Sequence, residues 1–255
     1  MKRKLLVVIL LLSVSYPSLT FAWGRRGHTL VAQIAVSFLD SPEQKRLQKY
    51  LGDMTMEQAG NWMDEIKSEH RYDFMKPWHY VNVEQGKTYE ATKEENVINQ
   101  LSRVINELEH KENMKNDDIR KDLLIAFHLT GDLHQPLHVG YGTDKGGNDL
   151  HVKYKNNSTN LHHVWDSDII DGEHITLSDC INRLKTYDKE QIAMLSVINV
   201  ETWMRQPRSQ LTGVYNFKDD NIDDAYIQKN KKVIEDDLLT AGIRLSALLK
   251  IVLKA

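Results

Sequence analysis

Apolar residues recur at intervals of three and four over most of the chain, which is the periodicity of amphipathic helices. One such helix begins at Asp117-Asp118, whose carboxylates suit a helix N-terminus, and runs to about Leu133. Residues 150–154 instead alternate like a short strand, and Asn156-Asn157 is typical of its turn. The pattern therefore predicts an all-α, mainly helical fold with one small β-hairpin. Helices are expected at about 29–39, from 41 onward, and at about 56–69, 94–111, 117–133, 160–170, 178–210 and 223–253.

Local signals refine this pattern. Ser41 followed by Pro42 and Gln44 is typical of the N-cap, N1 and N3 positions of a helix. The segment 72–83 is predicted to be mostly extended, and 140–148 is predicted to be a glycine-rich loop. Pro136 interrupts a helix, so His138 is expected just beyond the end of that helix.

The first 22 residues have the pattern of a secretory signal peptide. Basic residues 2–4 precede an apolar run at 5–14, and residues 20–22 fit the small-x-small cleavage rule. The run is shorter than the roughly 20 residues that a membrane span needs. We expect cleavage to leave Trp23 at the N-terminus of a secreted or periplasmic protein, with an uncleaved anchor as the alternative.

Composition narrows the class of protein. The 255 residues contain no repeat or Pro/Gly-rich linker, so residues 23–255 are expected to form a single domain. Cys180 is the one cysteine, which excludes an intramolecular disulfide, and it is expected to be a small core residue. The formal charge is −3, or −6 without the three basic residues of the signal, which counts against a simple nucleic-acid-binding module. A metalloenzyme remains compatible, because bound cations supply positive charge locally.

Two histidine–aspartate pairs have the spacing of one helical turn. His128 and Asp132 are four residues apart, as are His162 and Asp166, so each pair can face one way on a helix. His138 lies between the pairs, beyond the proline. Clusters of histidine and aspartate with little cysteine suit a hydrolytic zinc site.

Two other histidines in this stretch are set aside. His163 could take the place of His162 in such a pair, but the residue four positions after it is Ser167, a poor zinc ligand. His134 is two residues from Asp132 and should point away from that helix face.

Six motifs between Trp23 and Asp166 resemble, in the same order, those of the zinc-dependent single-strand nuclease family. They are WGRRGH, NWMDEIK, WHYVNV, FHLTGDLHQPLH, KGGNDL and NLHHVWD. The resemblance implies a helical domain like those of zinc phospholipase C and these nucleases, with the hairpin near a site for three zinc ions. By the family pattern, Trp23 would hold one zinc through its amine and carbonyl, together with His28. A second zinc would be held by Asp64, His79, His128 and Asp132. A third would be held by His138, His162 and Asp166. Asp132 would also bridge to the first zinc.

The resemblance also implies the chemistry. Two close zinc ions would share a hydroxide that attacks phosphorus, because zinc lowers the pKa of bound water to about 7. Asp64, Lys67 and Asp132 are the expected catalytic residues. Lys67 stands where the family usually has arginine; it keeps the charge but loses the two-pronged contact to phosphate. A plain surface lysine is the alternative.

Three residues are expected to bind the substrate. Tyr80 matches an aromatic position that the family uses to stack an unpaired base, with core packing as the alternative. Asn82 stands where some members carry aspartate near the base, so base preference is open. Gly146-Gly147 is expected to let the backbone approach the substrate and Asn148 to line the pocket, with a plain turn as the alternative.

The sequence thus predicts a zinc-dependent endonuclease that cleaves single-stranded DNA and RNA to 5′-phosphorylated products, and it leaves a 3′-nucleotidase activity open. The expected partner is single-stranded nucleic acid or a nucleotide, bound by a monomer without stable membrane association. Zinc phospholipase C is the nearest alternative, disfavoured because its first histidine lies farther from the terminal tryptophan and its last ligand is glutamate. A non-catalytic periplasmic zinc-binding protein is the other alternative.

Overall fold

Helices make up 69% of the structure, and one small three-stranded sheet accompanies them. The computed structural model describes residues 23–254, so the predicted signal peptide lies outside the described residues. The high helix content confirms the predicted mainly α-helical fold class. Between residues 23 and 254, none of the helices has the length and apolar character that crossing a membrane requires.

The helices follow one another with short connections. The α-helices are α1 (Arg25–Ser37), α2 (Ser41–Leu51), α3 (Met56–Ile66), α4 (Val97–Glu109), α5 (Asn116–Leu133), α6 (Leu161–His163), α7 (Ile169–Gly172), α8 (Leu177–Asn182), α9 (Lys189–Leu195), α10 (Val200–Val214) and α11 (Asp224–Val252). Segments of 3-10 helix lie at His70–His79, Lys111–Asn113, Pro136–Val139, Gly142–Asp144 and Arg183–Thr186, and a π-helical turn lies at Val164–Asp168. The strands are β1 (His151–Tyr154), β2 (Asn157–Asn160) and β3 (Asn221–Ile222).

Two long helices, α5 and α11, form the centre of the packing. The second half of α5 is buried on all sides, and α11 is buried over most of its length. Helix α11 packs against α1 and α5. Helix α1 packs in turn against α3 and α5, and α4 packs against α5. The apolar core, which includes the fully buried Trp23, Phe127, Trp165 and Trp203, continues through these contacts. The helices that carry the histidine and aspartate motifs are therefore held at the centre of the molecule.

Two helix boundaries differ by a few residues from the expected ones. The N-cap of α2 is Asp40, not Ser41, because Asp40 accepts from the Glu43 amide while the Glu43 carboxylate accepts from the Asp40 amide. Helix α3 ends at Ile66, which places Lys67 at its C-cap rather than inside the helix.

The prediction of extended chain at 72–83 is wrong for most of its length. His70–His79 forms consecutive 3-10 turns, and only the residues after His79 are extended. The reason lies in packing: Tyr72, Met75 and Trp78 are three residues apart and turn toward the core together.

The long helix expected at 178–210 is broken into three. Asp188 accepts from the Gln191 amide and starts α9, and Asn199 accepts from the Thr202 amide and starts α10. Capping residues inside a helical pattern thus end one helix and begin the next.

The predicted hairpin is confirmed and extended by one strand. Strands β1 and β2 pair antiparallel from His151 with Asn160 to Tyr154 with Asn157. The turn residues are Lys155 and Asn156, one position earlier than the predicted Asn156-Asn157, and both have positive φ, as a tight two-residue hairpin turn needs. The two-residue β3, which no sequence pattern indicated, pairs parallel with β1.

Candidate metal centre

Two glycines let α1, α3 and α5 approach closely enough to bring their polar side chains together. A Cβ atom at Gly60, on α3, would lie 2.7 Å from the backbone oxygen of His28 on α1. A Cβ atom at Gly131, on α5, would lie 2.8 Å from His28 Nδ1. Both positions therefore require glycine, and His28 is fixed against both helices.

Asp132 lies at the centre of a first group of buried ligands. Its Oδ2 is 2.9 Å from His79 Nδ1 and 3.5 Å from His128 Nε2, whereas its Oδ1 is 3.3 Å from His28 Nε2. Asp64 Oδ1 lies 3.8 Å from His128 Nε2. The two carboxylate oxygens of Asp132 therefore face different histidines, an arrangement that suits a bridging carboxylate.

A second group consists of His138, His162 and Asp166. The two Nε2 atoms lie 3.1 Å apart, and Asp166 Oδ2 is 3.2 Å from His162 Nε2. Asp166 belongs to the π-helical turn, a rare local structure that is frequent at functional sites. The expected pairing of His162 with Asp166 four residues later is thus present.

Trp23 lies beside α1 and α5: a Cβ atom at Gly131, which would lie 2.8 Å from His28 Nδ1, would lie 3.6 Å from Trp23 Cδ1. Its side chain is fully buried, and a Cβ atom at Gly27 would lie 2.8 Å from the Cβ of Trp23. The amide of the next residue, Gly24, donates to the backbone oxygen of Asp166 at 2.8 Å. The start of the described chain is therefore held beside residues of both groups.

Backbone carbonyls fix three of the histidine rings. An Nδ1–H that donates to a carbonyl leaves the Nε2 lone pair free, which is the usual second contact of a metal-bound histidine. In each ring here, Nδ1 faces a carbonyl and Nε2 faces the cluster: His128 with Gly60 O at 2.8 Å, His138 with His79 O at 2.7 Å, and His162 with Gly146 O at 2.6 Å.

The polar atoms that remain fit metal ions. Asp64 Oδ1, Asp132 Oδ1 and both ring nitrogens of His28 are buried and make no hydrogen bond within residues 23–254. Buried groups of this kind are costly unless something satisfies them. Three sets have ligand atoms within 4.8 Å of one another: His28, Asp64 and His128; His79, His128 and Asp132; His138, His162 and Asp166. Histidine and aspartate donors without cysteine suit zinc in a hydrolytic site.

A pocket of about 390 Å³ opens over both groups. The expected substrate-binding residues Tyr80, Asn82 and Asn148 all line it, as does Lys67. Its other lining residues are His79, His138 and His162 from the two groups, with Leu137, Lys76 and Lys145. The pocket therefore brings the three expected substrate-binding residues and Lys67 together with three of the clustered histidines.

Comparison with protein-family models matches residues 23–254 to the family described as S1/P1 Nuclease. The chain belongs to the S1/P1 nuclease family. It is 25% identical to Endonuclease 2 of Arabidopsis thaliana over 260 residues, covering 89% of each chain. It is 26% identical to Nuclease S1 of Aspergillus oryzae over 275 residues, covering 94% of this chain and 95% of that protein. Endonuclease 5 of Arabidopsis thaliana is 30% identical over 169 residues, covering 59% of this chain and 57% of that protein.

Membership in the S1/P1 nuclease family makes the chain a phosphodiester-cleaving hydrolase with a nucleic-acid substrate. It also agrees with the metal-binding character of the His/Asp clusters. The assignment of individual ligands to individual ions stays a prediction.

The charge states inside the S1/P1 nuclease site suit metal binding. Burial lowers the pKa of His128 to about 3, with a further contribution from His28, so its ring is neutral at neutral pH. Burial also lowers the pKa of His138. Burial opposes ionisation of Asp132, but the surrounding histidines, His128 first and then His28 and His79, outweigh it and hold the pKa of Asp132 well below its ordinary value. Neutral imidazole and ionised carboxylate are the forms that bind zinc.

The pKa of His162 moves in the opposite direction. Burial lowers it, but the charge of Asp166 and the hydrogen bond to it outweigh burial, and the pKa of His162 is raised. Protons therefore compete with a metal more strongly at His162 than at His138.

Gln135 is a site residue that the motifs did not reveal. It is fully buried, its Nε2 donates to Asp166 Oδ1 at 2.6 Å, and its Oε1 accepts from the Leu137 amide at 2.5 Å. It thus orients a candidate ligand. Its place between His134 and Pro136 in the motif was the available signal, but nothing in the spacing distinguishes a buried glutamine from an exposed one.

His134 and His163, which the spacing set aside, lie outside both groups. His134 faces away from the pocket: its Nδ1 contacts Thr130 O and its Nε2 lies 2.6 Å from Arg244 on α11. His163 is more than half exposed and faces Asp168.

The glycine-rich loop approaches the protein rather than an open pocket. A Cβ atom on Gly146 would overlap the backbone oxygen of Leu137, and both Gly146 and Gly147 have positive φ. This close packing brings the Gly146 carbonyl to His162. Close packing against Leu137 is thus enough to require glycine at Gly146, and it holds the candidate ligand His162. The expected approach of the backbone to the substrate stays a prediction.

Helix α10 holds the same loop from the other side. Tyr215, just after α10, donates to Asp144 Oδ2 at 2.8 Å, and Asp144 Oδ1 accepts from the Gly147 amide at 3.0 Å. Arg208 on α10 donates to the Val139 carbonyl at 2.5 Å. The C-terminal helices thus position the pocket loop although they carry none of the six motifs.

Proposed function

We propose that the protein is a zinc-dependent endonuclease that cleaves single-stranded DNA and RNA to 5′-phosphorylated products, with 3′-nucleotidase activity at the same site. The observation that supports this most is the meeting of two buried His/Asp groups beneath a pocket whose wall carries Lys67 and Tyr80. The donors suit zinc, the lysine suits phosphate, and the exposed ring suits a base.

The proposed holders of three zinc ions follow the family pattern. Trp23 and His28 would hold one ion, and Asp132 would bridge it to a second held with Asp64, His79 and His128. His138, His162 and Asp166 would hold the third. When bound, zinc supplies a Lewis acid for phosphoryl oxygens and a hydroxide nucleophile near neutral pH.

Lys67 supplies positive charge beside the phosphate. Its Nζ lies 3.6 Å from Asp64 Oδ1, and its side chain is about one-fifth exposed where it reaches the pocket wall. A charge held in a partly buried site acts more strongly on a phosphate than one in water. Asp64 orients the lysine, so the ammonium faces the pocket from a fixed position.

Tyr80 supports the preference for a single strand. The residue is 46% exposed and lines the pocket, so core packing does not account for its presence. A base can stack on such a ring only when it is free of its own base pair. Asn148 and Asn82 also line the pocket, and the Oδ1 of Asn148 is buried without a hydrogen bond within the described chain. This amide oxygen can accept from a base or sugar hydroxyl.

We also propose that residues 1–22 are a cleaved export signal and that the mature enzyme is secreted or periplasmic and monomeric. The pattern of basic residues, apolar run and small-x-small site supports the export signal and the location outside the cytoplasm. Trp23 can offer a free amine to zinc only if the chain is cut immediately before it. The mature N-terminus would therefore be part of the active site.

The experiment uses protein that starts at Trp23, a variant with one glycine added before Trp23, and a control with one glycine added after Ala255. Each is incubated with single-stranded DNA, RNA, duplex DNA, a 3′-mononucleotide and phosphatidylcholine, with and without chelator. Products are sized and their end groups identified. Zinc content is measured in parallel.

We expect chelator-sensitive release of 5′-phosphorylated products from single strands, by the Trp23 and C-terminal-extension proteins. The N-terminal extension should lose zinc and activity. Cleavage of lipid alone would assign the protein to the phospholipase C branch. Zinc binding without turnover of any substrate would identify a zinc-binding protein and overturn the proposal.

A further inference from the structure

The 3-10 segment His70–His79 presents three distinct faces, because residues three apart align in a helix of three residues per turn. Tyr72, Met75 and Trp78 form the face that packs on the core. The other two faces are exposed over most of their length, although His79 at the end of one of them is buried. This segment leads directly into the candidate site, since His79 is its last residue.

One exposed face is apolar and ends in the pocket. Phe74 is 50% exposed, Pro77 is partly exposed, and Tyr80, three residues further, is 46% exposed and lines the pocket. We name Phe74, Pro77 and Tyr80 the aromatic stripe. An exposed apolar face that runs into a pocket is the kind of surface feature that marks a ligand-binding groove.

Phe74, the ring of the aromatic stripe that is farther from the pocket, packs on a buried side chain. Phe74 makes an edge-to-face contact with the buried Trp78, with ring centroids 5.5 Å apart. Arg103 from α4 lies over the Trp78 ring, and Trp78 Nε1 donates to Glu95. A ring fixed in this way loses little entropy when a flat ligand stacks on it.

Positive charge accompanies the aromatic stripe. Lys76 lies between the two rings in sequence and lines the pocket. Its Nζ is 2.7 Å from Asp73 in an exposed ion pair, and such pairs contribute little, so a phosphate can replace the carboxylate. Alternating cations and aromatic rings along a track is the pattern of single-strand binding surfaces.

The length of the aromatic stripe sets how much strand it spans. Five steps of 3-10 helix at about 2 Å each lead from Phe74 to His79, and one extended step of about 3.3 Å leads to Tyr80, so Phe74 lies roughly 13 Å from Tyr80 along the segment. A stacked strand rises about 3.4 Å per nucleotide, so three to four nucleotides cover this distance.

We propose that Phe74 is a second base-stacking position, which binds a base three to four nucleotides away from the one at Tyr80, while Lys76 contacts the phosphates between them. This inference rests on the proposed nuclease function, and it makes the enzyme prefer strands of four or more nucleotides over dinucleotides. A protein partner is a poorer occupant, because specific protein interfaces bury at least about 1,200 Å², far more than two rings supply.

The test compares a dinucleotide with a ten-nucleotide single strand as substrates of the zinc-loaded enzyme. The quantity measured is the ratio of kcat/KM for the long strand to that for the dinucleotide. Phe74→Ala should lower this ratio about fivefold or more, the loss of one base–aromatic stack. Phe74→Trp should keep it, because the stacking surface remains, whereas Phe74→Leu should not. Met194→Ala, which removes an exposed apolar side chain on α9 that does not line the pocket, should keep the wild-type ratio.

Binding separates this inference from the proposed function. Equilibrium affinities are measured with phosphorothioate strands of two and ten nucleotides, which report binding without turnover. If the wild-type enzyme cleaves nothing, the proposed function fails, and the ratio of affinities still decides whether Phe74 binds a base. An unchanged ratio in Phe74→Ala, an equal loss for both lengths, or full retention by Phe74→Leu would each overturn the inference.

Discussion

At the scale of single residues, the candidate centre depends on hydrogen-bonding groups that orient its candidate ligands. Three histidines are oriented by backbone carbonyls, whereas Asp166 is oriented by the side chain of Gln135. A carbonyl cannot be removed by substitution, but the glutamine can. Substitution of Gln135 can therefore measure how much a hydrogen bond to a candidate ligand contributes to metal affinity.

We expect Gln135→Leu to weaken zinc binding by His138, His162 and Asp166. Removing the donor to Asp166 Oδ1 frees the carboxylate to rotate, and loss of such a partner typically costs 10- to 100-fold in metal affinity. Competition with a chromophoric chelator measures this affinity. Gln228→Leu, which removes a surface contact to Glu173, is the control. Equal zinc affinity in both variants would show that Gln135 does not orient the ligand.

Lys67 allows a test of the proposed contact with phosphate. Lys67→Met should lower kcat for single-stranded DNA by roughly 100-fold, as for loss of one electrostatic contact to the transition state. Lys67→Arg should retain most of the activity, since it keeps the charge and adds a second donor. Steady-state kinetics with zinc content measures both, and Lys250→Met at the exposed end of α11 is the control. A fall in zinc content equal to the fall in kcat would instead assign Lys67 a role in holding Asp64.

At the scale of elements, α5 has two different polar regions. Its C-terminal half carries His128 and Asp132, whereas Asp122, two turns earlier, meets Glu107 of α4. Burial and the hydrogen bond to Glu107 raise the pKa of Asp122 to about 7. One helix thus carries a carboxylate held ionised and a carboxyl group held protonated, which opposite surroundings produce.

The pair between α4 and α5 predicts a pH-dependent stability. Because folded Asp122 keeps its proton up to about pH 7 and the unfolded residue loses it near its model value of 3.8, folding retains a proton between these values. This stabilisation is present at low pH and is lost as pH rises through about 7. Asp122→Asn keeps a neutral donor to Glu107, so its Tm should exceed that of the wild type above pH 7, with the difference shrinking toward pH 5.

Differential scanning calorimetry at pH 5, 6, 7 and 8 measures the difference. Comparing variant with wild type at each pH cancels the effect of pH on zinc binding. Asp53→Asn, at an exposed turn position, is the control and should show a constant difference. A constant difference for Asp122→Asn as well would contradict the prediction.

At the scale of the whole molecule, the contact between α1 and α11 supports the site. Gly242 on α11 lies against Ile34 on α1: a Cβ atom there would overlap Ile34 Cγ2 and lie 2.5 Å from Ile34 Cβ. Since His28 is on α1 as well, the seating of this helix on α11 determines where one ligand lies.

Substitution of two helical glycines by alanine should change the free energy of unfolding in opposite directions. Helix propensity alone favours alanine over glycine by about 1 kcal/mol. Gly213→Ala in α10 has no neighbour within 4 Å of the new Cβ and should gain this stability. Gly242→Ala should be destabilised by about 1–3 kcal/mol, because the helices must separate to admit the methyl group. Denaturant unfolding with excess zinc measures both free energies, and a stabilised Gly242→Ala would show that α1 and α11 are not in close contact.

Patterns within one or two turns of chain were predictable from sequence. Helix α5, the hairpin and the burial of Cys180 follow from periodicity, alternation and composition, and the structure confirms them, with the hairpin turn one residue earlier than predicted. The pairing of His128 with Asp132 and of His162 with Asp166 needs only the spacing of one helical turn. These features are local, so the local sequence determines them.

Features that depend on packing between distant segments were decided by the tertiary structure. The 3-10 turns of His70–His79 form because an apolar side chain in every third position finds the core, and that core comes from other helices. Gln135, Lys76 and the loop contacts of α10 likewise acquire their roles only from neighbours far away in sequence. The sequence determined which side chains can bind metal and phosphate. Whether they meet was decided by the glycines and apolar faces that bring α1, α3, α5 and α11 into contact, because backbone approach is set by packing and not by the ligand spacing itself.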